Sequence, residues 1–257
     1  MFRFFIFISL LNFACEGSDE IFVTPQPDNI VACNEKLIKD GKLYEKSGQQ
    51  YLWAGQDTTT HFNITDWTLN ACYLKKGLGR EKFNALITPV YTKLGSDHDH
   101  LPDTSRVVIL RSGSSIKAYP LGILRTYELV NETANSTPVM IVYCFLADLT
   151  SVYTRQYCGR TLTFGVSGYT YADPNNYNGL ESFILWDRNS ESLWWPINDK
   201  GVAGIFRDSD MKKYDRSKWQ VVTMKDLRKR YPNALILNDQ QKPNNQVSVI
   251  PVTQSCK

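Results

Sequence analysis

The chain is short of the residues that most often do chemistry. Of 257 residues only three are histidine, His61, His98 and His100, and none follows position 100. Gly165-Val166-Ser167-Gly168-Tyr169 therefore makes a poor nucleophile elbow. That motif needs glycine where Tyr169 stands and a histidine base further along the chain, and a serine without a base is a weak nucleophile. The net charge is only +3, so composition gives no reason to expect nucleic acid or an anionic membrane surface as a partner. No close C-x-x-C repetition marks a zinc site, and there is no internal repeat, low-complexity tract or long acidic run. After the first residues no apolar stretch approaches the roughly 20 residues a membrane-spanning helix needs.

What the chain does have begins at its start. Met1-Phe2-Arg3 precedes an apolar run over residues 4–14, the pattern of a secretory signal peptide over residues 1–17 with cleavage near Gly17. The run is too short to span a bilayer, so the expected product is secreted and extracellular. Six cysteines are present, and Cys15 falls in the signal. An oxidising compartment favours disulfides among Cys33, Cys72, Cys144, Cys158 and Cys256. Five is odd: one thiol stays free, pairs between chains, or cleavage lies elsewhere. Cys33 with Cys72 and Cys144 with Cys158 are the candidate pairs. Three sequons offer glycan sites, at Asn63, Asn131 and Asn135.

Residues 18–60 are polar with scattered charge and read as an extended N-terminal lead-in. A β-rich domain over residues 61–240 follows, and then a tail over 241–257. Residues 106–110 and 116–119 flank Ser112-Gly113-Ser114 as a hairpin. Residues 138–146 form a continuous apolar run, expected of a strand buried on both faces. Residues 151–155, 161–166 and 183–186 read as further strands, and 235–237 as a returning one. One helix is convincing. Thr223 caps it with Asp226 three residues on, Met224, Leu227 and Tyr231 share a face, and Pro232 stops it. The class is mainly β (α+β), a compact β-sheet domain with one late helix.

The most metal-like cluster is Asp97-His98-Asp99-His100, with Asp103 nearby. On a strand, alternation would give two carboxylates on one face and two imidazoles on the other; the bland reading is a solvated polar loop. Trp186, Trp194, Trp195 and Trp219 read as core aromatics, with sugar stacking as the other reading. Glu128, Asp187 and Glu191 are the carboxylates a glycosidase would draw on. Lys212, Lys213 and Arg228 to Arg230 read as a solvated basic face.

The stretch from about 114 to 237 resembles a large uncharacterised family, domain of unknown function 3179. The matching words are Lys117-Ala118-Tyr119-Pro120-Leu121, Glu128-Leu129-Val130-Asn131-Glu132, Pro138-Val139 leading into Val142-Tyr143-Cys144, and Thr163-Phe164-Gly165-Val166-Ser167-Gly168. They continue with Trp186-Asp187-Arg188, Glu191-Ser192-Leu193-Trp194, Gly201-Val202-Ala203-Gly204, Trp219 and Arg230-Tyr231-Pro232. Asp66-Trp67 and Gly79-Arg80-Glu81 look like the family's lead-in. The resemblance implies a histidine before the glutamate, where Tyr127 stands, and a Y-C-P-L-C word where this chain has Tyr143-Cys144-Phe145-Leu146-Ala147. A His/Cys/Cys set could bind a soft metal such as copper, and this chain keeps only Cys144 of it.

The expected function is that of a secreted, non-catalytic extracellular protein without a cofactor, a component of an extracellular or mineral-associated organic matrix, with other matrix components as partners. The alternative is a metal-dependent or redox enzyme using Asp97, His98, Asp99 and His100.

Overall fold

The structure is a computed structural model that describes residues 33–242 and 247–254. Helix α1 (Glu35–Lys39) leads into a three-stranded antiparallel sheet of β1 (Leu43–Lys46), β2 (Gln49–Leu52) and β3 (Phe62–Asn63). Two short strands follow, β4 (Leu74–Lys76) and β5 (Tyr91–Lys93). Next come β6 (Arg106–Ser112), β7 (Ser115–Pro120), helix α2 (Leu121–Tyr127), β8 (Leu129–Ala134), β9 (Thr137–Cys144) and β10 (Leu149–Thr154). A small hairpin of β11 (Gln156–Tyr157) and β12 (Arg160–Thr161) precedes β13 (Phe164–Tyr171), β14 (Ser182–Asp187), β15 (Leu193–Trp195) and β16 (Lys200–Ala203). The chain ends its regular structure with β17 (Trp219–Thr223), helix α3 (Met224–Arg230) and β18 (Leu235–Leu237).

Two five-stranded sheets, in the orders β16-β15-β14-β13-β4 and β17-β6-β7-β18-β5, sandwich the three-stranded sheet β10-β9-β8. Side-chain alternation builds the layers. Along β9, Met140, Val142 and Cys144 enter one core with Phe164, Val166, Phe183 and Trp194. Val139, Ile141 and Tyr143 enter another with Val108, Leu110, Tyr119 and Leu124. Both faces of β9 are thus covered, which is why its run reads as continuously apolar. On β6 the alternate residues Val107 and Ile109 pack under Met224 and Leu227 of α3. Burying one such aliphatic side chain contributes about 1.5–3 kcal/mol, so β9 alone anchors two cores. Thr223 caps α3 as its sequence implies, accepting from Asp226 N–H at 3.1 Å.

Three readings are corrected. From Cys33 onward the supposed lead-in is folded: Leu43, Leu52 and Phe62 join Trp67, Tyr171, Trp186 and Trp195 in a core. Each of those strands is four residues or fewer and brings one deeply buried apolar residue, too little for a periodic signal. The late helix is also not alone, since α1 and α2 precede it. Cys33 and Cys72 are bridged as expected, but Cys144 is a buried free thiol. Leu149 stands opposite Cys144 in the sheet, while Cys158 sits in the β11–β12 turn and is itself disulfide-bonded. The signal segment, Cys15 and Cys256 lie outside the described residues.

Candidate functional site

The glycan candidates separate by exposure. Asn63 and Asn135 are exposed. Asn131 is buried, its amide donating to Phe164 O at 2.9 Å and Leu86 O at 3.3 Å while its oxygen accepts from Phe164 N–H at 2.9 Å. The folded chain therefore cannot carry a glycan at Asn131. The tryptophans at 186, 194, 195 and 219 are all buried.

The Asp97–His100 cluster is a turn rather than a strand, so the alternating faces expected of it do not form. His98 points inward, its ring nitrogens 3.2 Å from Thr92 Oγ1 and 3.3 Å from Gly95 N. His100 Nδ1 lies 2.9 Å from Asp97 O. No group of three or more metal-ligating side chains assembles among the described residues.

The three carboxylates singled out go to different places. Asp187 is fully buried and accepts from Ser190 N–H at 2.7 Å, Ser190 Oγ and Trp194 Nε1 at 3.0 Å. Burial pushes it up to about 6 despite these donors. It is a structural anchor for the β14–β15 turn. Glu191 is exposed and paired with Arg80, whose guanidinium lies 3.6 Å over the Trp186 ring. Glu81 accepts from Trp186 Nε1 at 3.0 Å and pairs with Arg188 at 2.9 Å. These groups fix residues 80 and 81 against β13 and β14. Ser167 is likewise structural, donating to Ile184 O at 2.6 Å inside the sheet.

Glu128 is different. It ends α2 in the left-handed region, φ +60°, where glycine is the usual residue. Its N–H donates to Leu124 O at 2.6 Å and its carbonyl accepts from Tyr143 N–H at 2.9 Å, so the backbone is held from both sides. The side chain is only 3% exposed, and Oε2 has no hydrogen-bond partner among the described residues. Burial pushes its carboxyl up to about 8; at neutral pH it is an uncharged acid with a proton to donate. A strained backbone, a buried polar group and a missing partner each cost stability, and such costs gather where a site is built.

Glu128 lines a cleft of about 690 Å³. Its lining also includes the apolar Leu74, Phe83, Phe145, Leu146, Val166 and Phe183, with Thr170 and the charged Lys36, Asp40, Lys75, Lys76 and Glu181. The segment from 77 to 86 tracks the cleft, with Gly77 N–H on Gly168 O at 2.8 Å, Glu81 N–H on Val166 O at 3.0 Å and Leu86 N–H on Leu129 O at 2.9 Å. Glu128 therefore lies at the end remote from β4 and its lysines. The crossing of this segment over β13 depends on Gly168, φ +80°, since a Cβ there would fall 2.0 Å from the Gly79 carbonyl carbon. The other wall is α1, tied to the β4 approach by the Cys33–Cys72 bridge and by Asn34, which donates to Ala71 O at 2.8 Å and Leu74 O at 2.9 Å. Sequence reasoning singled out Glu128 as a carboxylate but missed the cleft, because its walls come from seven separate stretches of chain.

With this geometry in hand, the comparisons place the chain. A family model described as protein of unknown function (DUF3179) matches residues 80–253, about two thirds of the sequence, and the chain belongs to that family. Neither the curated proteins nor the solved structures give a significant match.

Proposed function

We propose that this family member is a secreted, non-catalytic extracellular protein that binds a small, largely apolar ligand in the cleft ending at Glu128. The observation that carries the reading is one residue: a buried acid, held mostly neutral at pH 7 by its burial, whose Oε2 has no partner among the described residues and which lines a cleft of ligand size. A largely apolar cleft with a few polar groups orients a ligand. Turnover needs more than an acid. The apolar lining residues Phe83, Phe145, Leu146 and Val166 provide neither base nor nucleophile. Secretion is supported by the apolar N-terminal run, the Cys33–Cys72 disulfide and the exposed sequon residues Asn63 and Asn135.

The test uses protein recovered from the medium of a secretory host. Intact mass should show loss of the leader and glycan on Asn63 or Asn135. The apolar dye 1-anilinonaphthalene-8-sulfonate should bind at one site and brighten. Leu146, 47% exposed on the cleft wall, can take an arginine without disturbing the core, and Leu146→Arg should lose the dye. Equal dye binding by both proteins, or by neither, would refute the cleft as the site.

A further inference from the structure

The outer face of the first sheet carries a row of three residues that ends at an exposed sequon. Tyr44 on β1 stands opposite Tyr51 on β2, and Tyr51 stands opposite Asn63 on β3. Residues directly opposite each other share a face of the sheet. The adjacent row, Leu43, Leu52 and Phe62, is fully buried on the inner face, so Tyr44, Tyr51 and Asn63 face outward. Asn63 is exposed and both tyrosines are half-buried.

The Asn63 amide is oriented before any sugar is attached. Its oxygen accepts from Thr65 N–H at 3.0 Å and from Thr65 Oγ1 at 2.7 Å. Nδ2, the atom that carries an N-linked glycan, is left on the side of β2, where it donates to Gln49 Oε1 at 3.3 Å. The Tyr51 hydroxyl donates to the same oxygen at 2.5 Å. One acceptor thus brings the attachment nitrogen and the tip of the Tyr51 side chain together. The Tyr51 ring is itself held. Tyr44 stacks on it with centroids 5.6 Å apart and planes at 19°, and the Tyr44 hydroxyl lies 2.6 Å from His61 Nδ1. Since Tyr44 comes from β1, the other face of the Tyr51 ring is turned to the β3 side and to Asn63. The second exposed sequon has a different setting: Asn135 lies in the β8–β9 turn at φ +46°, between Ala134 and Ser136, with its N–H on Ser112 Oγ at 3.0 Å.

We propose that Tyr51, backed by Tyr44, seats the first sugar of an N-linked glycan at Asn63. The inference rests on the secretion reading above and names the surface that the modification uses. A β-linked N-acetylglucosamine has one face made of axial C–H bonds. That face is apolar, and its hydrogens carry the slight positive charge that the negative face of an aromatic ring attracts. Stacking takes it and the Tyr51 ring out of water, while the sugar hydroxyls around the rim stay hydrated. Little ordering entropy opposes this, because the amide and the ring are already fixed. Attachment uses an oligosaccharide carried on a lipid pyrophosphate: the sugar C1–O bond breaks, the C1–Nδ2 bond forms, one Nδ2 hydrogen leaves as a proton, and the lipid pyrophosphate departs with the electron pair. The second Nδ2 hydrogen remains to donate to Gln49.

The test uses protein secreted by a host that makes oligomannose glycans. Intact mass and peptide mapping report loss of the leader and occupancy of Asn63. Wild type and Tyr51→Leu are each prepared in two forms: trimmed by endoglycosidase H to a single N-acetylglucosamine, or stripped by peptide N-glycosidase F, which leaves an aspartate. That new charge, and any glycan at Asn135, is common to both backgrounds and cancels in the cycle. In wild type the single sugar should raise the unfolding midpoint by about 2–4 °C, the shift expected of one stacked ring in a protein of this size. Tyr51→Leu should lose most of that rise. Proton spectra of the trimmed wild type should show one set of sugar ring protons moved upfield by the Tyr51 ring current, and Tyr51→Leu should return them to their ordinary positions, a readout that stability does not move. An equal rise in both backgrounds, or no upfield shift with Asn63 occupied, would overturn the proposal. Secreted protein with Asn63 unoccupied overturns it as well and leaves secretion standing. A chain that keeps its leader and stays inside the cell removes both.

Discussion

Glu128 should leave a mark on the pH dependence of stability that a single substitution can isolate. An unfolded glutamate ionises at its ordinary value of 4.5, whereas burial raises the folded one to about 8. Between these values the folded state holds a proton that the unfolded state releases. Linkage then requires stability to fall as pH rises through this window, and to level off above it. Every tenfold gain in proton affinity on folding is worth about 1.36 kcal/mol, so the full effect is about 5 kcal/mol, of which about 3 kcal/mol accrues between pH 4.5 and 7. Glu128→Gln is isosteric and uncharged at every pH, so it lacks this slope. All other titrating groups are shared, and subtracting one protein from the other removes them, provided they do not couple to residue 128. The measurement is urea unfolding with disulfides intact, at four pH values between 4.5 and 7.5, for wild type and Glu128→Gln. The glutamine variant should gain about 3 kcal/mol relative to wild type over that range. A difference that stays constant to within about 0.5 kcal/mol, the ordinary scale of surface effects, would show that Glu128 is hydrated or paired in solution. The premise of the ligand argument would then be gone.

Other consequences concern the frame of the cleft. Replacing both Cys33 and Cys72 by serine opens a loop with a sequence separation of 39 residues. Chain entropy puts the cost at up to about 4 kcal/mol in urea unfolding, and a loss below about 1 kcal/mol would mean that the remaining contacts of α1 hold it unaided. Gly168→Ala drives a Cβ into the Gly79 carbonyl at positive φ and should cost about 3 kcal/mol or more, seen as poor secretion or a lowered midpoint. Gly122→Ala, in α2 with open space around it, should instead gain about 0.5–1 kcal/mol; a loss there would place the helix wrongly. The Cys144 thiol is buried and free, so a disulfide-exchange reagent should miss it in native protein and react with it once the chain unfolds without reductant. Fast labelling of the native protein would contradict its packing.

What the sequence disclosed follows physical lines. Strand β9 was visible because both of its faces are covered, so every residue from Val139 to Cys144 had to be apolar or aromatic. Helix α3 was visible because its start and stop are local: Thr223 bonds Asp226, and Pro232 follows its end. Helix α2 escaped notice because it follows Pro120 directly, has no side-chain cap and ends on Glu128 where a glycine would have announced the stop. The β1–β3 sheet escaped because its stability is tertiary. Leu43, Leu52 and Phe62 are single apolar residues among polar neighbours, and only their convergence on Trp186 and Trp195 makes a core. Asn131 shows the opposite error, in which a local motif suggested a surface and long-range hydrogen bonds to Phe164 placed it inside.

The candidate site was half legible for a related reason. The family pattern implied a histidine at 127 and a second cysteine at 147, and their replacement by tyrosine and alanine reads in sequence as the loss of donors. The fold shows where those positions lie. The Glu128 carbonyl accepts from Tyr143 N–H and Leu129 pairs with Val142, so residues 127 and 128 stand beside the end of β9. Tyr127 and Phe145 pack with Tyr143 in one core, and Ala147 packs against the cluster that holds Cys144. At 127 an aromatic ring therefore stands next to the acid where the family pattern implies an imidazole. Burial is what raises the Glu128 carboxyl.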